Sequence, residues 1–185
     1  PRLDTGVNLW YGNHPGASGT SYTLSAPPEP VLWQMPDELR RRLIGKTELE
    51  QHHILAAAAW EYMRRNPLAA SGLFLRKLFY FWWFSPHTGL LYPTWWTRWY
   101  KMYYSLILLA AMIGLVRSVR STERFVRTKV FVLGLMAASV SVAQAVFYVE
   151  GRHRWAVEPL VLIFSAAGLM AVWTAVHRRR ARRHV

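Results

Sequence analysis

Val130 to Val149 reads VFVLGLMAASVSVAQAVFYV, twenty residues without a charge, bounded by Lys129 before it and Glu150 after it. An α-helix rises about 1.5 Å per residue, so about 20 apolar residues cross the roughly 30 Å hydrocarbon core of a bilayer. Two neighbouring stretches repeat the pattern. Met102–Val116 supplies fifteen residues between Lys101 and Arg117, and reaches a full span if Arg98 and Lys101 extend their head groups to the interface. Trp155–Val176 supplies twenty-two, interrupted only by Glu158 and Pro159 near its start. A buried helix of a soluble protein could explain one such stretch, but not three in succession with charges at the junctions. The expected fold is an all-α membrane protein. About three transmembrane helices occupy 98–185, preceded in 1–97 by a loop with amphipathic and interfacial helices.

Composition agrees with this reading. Of 185 residues, 52% are hydrophobic and 18% charged, which leaves little to build a water-soluble surface. Ten Trp suit a long membrane–water boundary, where indole rings settle at head-group level. The absence of Cys rules out disulfides and thiolate metal sites. The net charge of +13 could signal nucleic acid, since Lys and Arg neutralise phosphates, but its distribution argues otherwise. Residues 1–97 hold nine Lys/Arg against seven Asp/Glu, and residues 98–185 hold fourteen against three. The surplus falls in short blocks beside apolar runs, as topology signals do, so no nucleic-acid partner is expected.

The loop Arg117–Lys129 and the tail Arg178–Arg183 carry five cations each, which assigns both to the cytoplasmic side. The turn Glu150–Arg154, and everything before about Trp99, then lies outside, in the periplasm if the membrane is a bacterial inner membrane. The chain opens at Pro1, in polar loop sequence with no signal peptide, so an upstream segment that carries this loop outward is expected.

The first hundred residues read as shorter pieces. Gly12–Pro30 is rich in Gly, Pro, Ser and Asn and predicts a loop. Pro36-Asp37-Glu38 opens a short helix that Gly45 closes. Thr47 and Glu50 form a capping box for a helix running to Asn66, with Leu49, His53, Ala56, Trp60 and Met63 on one face. Asn66-Pro67 ends it and is expected to cap the next helix, Leu68–Phe84. That helix has strongly apolar, aromatic residues at its end and Arg76-Lys77 in its middle. Spanning would bury both cations at roughly 2.5–3.5 kcal/mol each, so it is expected to lie in the outer interface. Pro86–Trp99 is expected to continue along that boundary.

Two segments carry chemistry. In Asn8-Leu9-Trp10-Tyr11-Gly12-Asn13-His14-Pro15-Gly16-Ala17-Ser18-Gly19, closely spaced Gly and Pro allow tight turns whose amides could hold a phosphate or sugar hydroxyls. A solvated loop is the plainer reading. In Glu150-Gly151-Arg152-His153-Arg154-Trp155-Ala156-Val157-Glu158-Pro159, an outer turn presents two Arg and a His at lipid-phosphate height. Guanidinium groups engage two phosphate oxygens together. Pairing with phospholipid head groups is the alternative. Glu158 sits near a helix N-terminus and within reach of Arg154, and is not assigned a catalytic role. His52 and His53 diverge by about 100° around a helix and cannot share a metal.

Asn-Leu-Trp-x-Gly-Asn-x-Pro-Gly-Ala-x-Gly resembles the periplasmic loop signature of bacterial polytopic glycosyltransferases. These form the GT-C type superfamily of protein-mannosyltransferases, aminoarabinose transferases and rhizobial galacturonosyltransferases. The later order is similar too: a Glu-starting amphipathic helix, an Asn-Pro break, an Arg-Lys helix with terminal aromatics, and the hairpin Arg152-His153-Arg154-Trp155-Ala156-Val157-Glu158-Pro159. His14, His153 and Ala156 stand where Asn, Tyr and Pro are common. The resemblance covers nearly the whole chain, as the C-terminal third or so of a family member. It implies sugar transfer from a polyprenyl-phosphate donor to a lipid, glycan or protein acceptor at the outer face of the inner membrane. On that reading Arg152, Arg154 and His153 bind the donor phosphate. Trp10, Gly12, Asn13, Pro15, Gly16 and Gly19 shape the substrate loop.

The family's catalytic acid lies in an earlier outer loop that this chain does not contain. Asp4 and Asp37 do not match its motif, so the chain alone is expected to be inactive. No cofactor is identifiable, and any divalent metal would be held by upstream residues. The competing class is a non-enzymatic multispan scaffold or assembly partner, which explains the spans but leaves the glycine-rich loop and the outer Arg residues without a purpose. A transporter would need a broken helix or a charge at the midplane of a span, and none is present.

Overall fold

The structure, a computed structural model, describes residues 5–25, 29–86 and 93–181, with side chains to 178. Among these residues the architecture is all-α, with one isolated bridge between Tyr22 and Pro30. Thr5–Gly12 forms α1, Asp37–Leu43 α2, Glu48–Arg65 α3 and Pro67–Trp82 α4. Thr94–Val119 forms α5, Arg124–Val146 α6 and Glu158–Ala181 α7. Three helices are long and apolar enough to cross a membrane: α5, α6 and α7 over Glu158–Arg178. This is an all-α membrane protein.

The chain divides into two compact units, Pro1–Leu91 with Ser141–Arg154, and Tyr92–Val140 with Trp155–Val185. The return of 141–154 to the N-terminal unit depends on contacts that a linear reading does not contain.

In the first unit, Leu9 and Trp10 of α1 pack with Val31, Met35, Leu39, Leu55 and Ala59. Burial of such side chains stabilises by roughly 1.5–3 kcal/mol each. The Thr47–Glu50 capping box is present, with both reciprocal hydrogen bonds formed. Gly45 follows α2 at φ +73°, the left-handed backbone that glycine adopts without steric cost. Asn66 corrects one expectation: its side chain donates back to Tyr62 O (3.1 Å) and closes α3, while α4 starts on Pro67 without a side-chain cap.

Two further expectations change. Asn8–Gly12 is helical rather than loop, because α1 docks on α3, where the Gly6 amide donates to His52 Nδ1 (2.8 Å). The buried face of α3 is centred on Leu55 and Ala59, not on Leu49, His53 and Trp60, which are exposed. A stripe of small alanines lets α1 approach there, which helical periodicity alone does not indicate.

In the second unit, α5 and α7 pack in parallel. Ser165 Oγ donates to Ile107 O (2.9 Å), and Gly114 and Gly168 lie further along the same contact. A Cβ on Gly114 would overlap the Phe164 carbonyl, and one on Gly168 the Ala110 carbonyl. Small residues let two backbones meet where lipid tails remove any hydrophobic gain from association. The aromatic run Trp95, Trp96 and Trp99 was expected to lie along the boundary; it forms the first turns of α5, a helix of 26 residues and about 39 Å. Residues 87–92 of that stretch, Asp4, and the tail beyond 181 lie outside the described residues.

Candidate functional site

On α4, Leu73, Lys77 and Phe81 follow one another at intervals of four, so they share a face, and that face is buried. Arg76 is one position off it and exposed. Lys77 is 1% exposed. Its Nζ donates to Phe147 O at 2.8 Å, Asn13 Oδ1 at 3.0 Å, and Gly12 O and Val146 O at 3.3 Å. An ammonium has three hydrogens, so the two longer contacts share one. Val146 ends α6 and Gly12 ends α1. Carbonyls at helix C-termini lack an intrahelical partner, and the negative end of the helix dipole favours a cation. Lys77 therefore caps both helices at once. Burial lowers its pKa to about 7. The four acceptor oxygens around Nζ oppose that shift, because a neutral amine would turn its lone pair towards one of them.

Asn13 completes the node. Its Nδ2 donates to Leu9 O and Val146 O, both at 2.8 Å, while Oδ1 accepts from Lys77. Gly12 admits this approach, since a Cβ there would overlap the Phe147 carbonyl.

The loop that follows is held from within. Ala17 N donates to His14 O (3.0 Å), with positive φ at Gly16 and Gly19 turning the chain. Ser18 and Thr20 are buried, bonded to each other at 2.9 Å and to Tyr22 O. The His14 ring stacks on Trp10, with centroids 4.7 Å apart, and its Nδ1 lies 2.8 Å from Pro15 O. Burial pushes the His14 pKa down, which favours a neutral ring donating from Nδ1.

The second chemical segment joins this loop directly. Val149 N donates to Gly19 O (2.9 Å), and the Ser21 hydroxyl donates to the Glu150 carboxylate. Gly151–Ala156 then forms a 3-10 turn. Glu150 pairs with Arg152 Nε at 3.0 Å, and this carboxylate, with the Tyr148 hydroxyl, raises the Arg152 pKa. The Arg152 side chain is 62% exposed. His153 sits edge-on to Tyr148 at 5.4 Å, and burial lowers its pKa against the opposing pull of Glu150. Arg154 is 3% exposed, with its guanidinium 4.8 Å from the centroid of the Phe84 ring, a cation–π contact.

Several sequence-predicted roles need correction. Trp10, Gly12, Asn13 and Gly19 are buried, committed to core packing or to the Lys77 node, and do not present themselves to a substrate. Pro15 and Gly16 are exposed and keep that role open. The expected pair of surface arginines separates into an outward Arg152 and an inward Arg154, because a 3-10 turn advances one residue by about 120°. Sequence assigns no role in the site to Ser21, Tyr148, Glu150 or Lys77. Lys77 had a readable signal, a cation in register with Leu73 and Phe81. The Ser21–Glu150 contact had none.

Among the described residues no group of three His, Cys, Asp or Glu is placed to hold a metal ion. Two cavities have no hairpin residue in their lining, one of about 900 Å³ between α5 and α7 and one of about 800 Å³ along Ala57–Arg65. Comparison with known proteins found no matching family model, no matching curated protein and no matching solved structure.

Proposed function

We propose that this chain is part of a bacterial polytopic glycosyltransferase of the GT-C type. It would move a sugar from a polyprenyl-phosphate donor to a lipid, glycan or protein acceptor at the periplasmic face of the inner membrane. The sequence resemblance is the origin of the reading. The observation that carries it is the joining of the two motif segments, about 130 residues apart, through Val149–Gly19 and Ser21–Glu150.

In this proposal Arg152 is the residue that meets the donor phosphate. Glu150 engages its Nε and orients the guanidinium, and a phosphate would take the remaining nitrogens. As the glycosidic bond breaks, negative charge grows on the departing lipid phosphate, and a fixed cation there lowers the barrier. Arg154 and His153 act as positioning residues, through Phe84 and Tyr148. Pro15 and Gly16 are the exposed part of the loop, available to sugar or acceptor. The base that activates the acceptor would come from an earlier part of the protein. The basic loop 117–129 and the tail face the cytoplasm.

The test is transfer of radiolabelled sugar from a polyprenyl-phosphate donor in membranes carrying the whole protein. Arg152→Gln is expected to lower transfer at least a hundredfold with normal membrane insertion. Unchanged transfer would remove Arg152 from the reaction. An impermeant thiol reagent is expected to label Pro15→Cys and Trp155→Cys from outside but not Thr122→Cys, and the reverse pattern would invert the topology.

A further inference from the structure

The cavity of about 900 Å³ between α5 and α7 has two kinds of wall. Leu109, Met112 and Val116 of α5 face Val172 and Ala175 of α7, and all but the alanine are large apolar side chains left exposed. At the far end stand Arg117 and Arg120, with the hydroxyl-bearing Ser121 and Thr122 beside them. The close contact at Gly114 and Gly168 brings the helices together on one flank. The groove runs from there along Leu109–Val116 and Ala171–Ala175 to the basic end of α5. Among the described residues no ion pair involves Arg117 or Arg120. The volume lies within the range of about 300–1,000 Å³ usual for small-ligand sites.

We infer that this groove binds an anionic glycerophospholipid, with acyl chain along the apolar walls and phosphate against Arg117 and Arg120. Residues three apart on a helix lie on the same side, so one head group can meet both guanidinium groups. An apolar slot with cations at its mouth, on a helix pair that crosses a membrane, complements a lipid in both parts. A zwitterionic lipid offers the same chains but returns a positive charge to the mouth. The same cations also serve as topology signals, so the site is distinguished by its coupling to the groove. The inference rests on the membrane spans and is independent of sugar transfer.

The experiment is native mass spectrometry of the purified whole protein in detergent, titrated with phosphatidylglycerol or phosphatidylcholine of identical chains. The wild type is expected to bind phosphatidylglycerol roughly tenfold or more tightly, given the contribution of each cation near an anionic surface. Arg117→Gln with Arg120→Gln should abolish the preference. Arg127→Gln with Lys129→Gln removes the same charge from outside the groove and should retain it. Ala171→Phe with Ala175→Phe fills the groove and should weaken phosphatidylglycerol binding to a similar degree. The proposal is overturned if the wild type shows no preference, or if the two charge pairs behave alike. It is equally overturned if the filled groove binds as before, or if a dimer lost on filling shows that a second copy occupies the groove.

Discussion

The unit made of residues up to 91 with 141–154 and the unit made of 92–140 with 155–185 are stabilised by opposite means. In the first, polar atoms reach across long stretches of sequence: Asn13 to Val146 and Lys77 to Phe147. In the second, α5 and α7 meet through the absence of side chains at Gly114 and Gly168, with Ser165 to Ile107 as a cross-helix hydrogen bond. Irregular backbone leaves carbonyls that must find donors, and a buried carbonyl without one is costly. Continuous helices satisfy their own backbone and need only shape. The comparison teaches that a few donor atoms specify the first unit, whereas a few missing methyl groups specify the second.

Lys77→Met tests that contrast most severely. It leaves four neutral acceptors without their donor, and a loss of about 3–5 kcal/mol is expected, since each buried acceptor left unsatisfied costs about 1–3 kcal/mol. Hydrogen exchange should rise across 10–14 and 144–149 while 107–116 stays protected. Equal loosening of both regions would show that the units are not separately stabilised. Gly12→Ala comes next, at about 3 kcal/mol, because the new methyl collides with a backbone carbonyl that has little room to move. Its exchange signature should match that of Lys77→Met.

Gly114→Leu is the reciprocal experiment. It should cost about 1–3 kcal/mol, separate α5 from α7 and raise exchange near 107–116 and 161–168, with 10–14 unaffected. The smallest effect concerns the start of α3. The Thr47 amide, the Lys46 side chain and the Thr47 hydroxyl lower the Glu50 pKa to about 2 from an ordinary 4.5. A carboxylate with a depressed folded pKa contributes stability above its unfolded value and loses it as pH falls through the folded one. Fraying of the first turn of α3 is therefore expected between about pH 4.5 and 2. Glu50→Gln should abolish that pH dependence, and a first turn that titrates unchanged would assign the effect to another group.

Much of the scaffold was legible in the sequence. The spans follow from uncharged length, and the Thr47–Glu50 cap from a local pattern whose partners are three residues apart. The candidate site was legible only in part. Asn8–Gly19 and Glu150–Pro159 were picked out by residue type, but their internal division of labour was not. Gly12 and Asn13 look like a flexible ligand loop until Phe147 and Lys77 arrive beside them. Arg152 and Arg154 look equivalent until the 3-10 turn sends one outward and the other onto Phe84.

What the sequence alone determined is the helical membrane character of the chain, because hydrophobic length and charge punctuation are one-dimensional quantities that a bilayer reads directly. Tertiary structure decided which polar residues are buried and what they bind. The Lys77 ammonium finds its acceptors at residues 12, 13, 146 and 147, and the energy of that arrangement depends on distances in space that no spacing along the chain encodes.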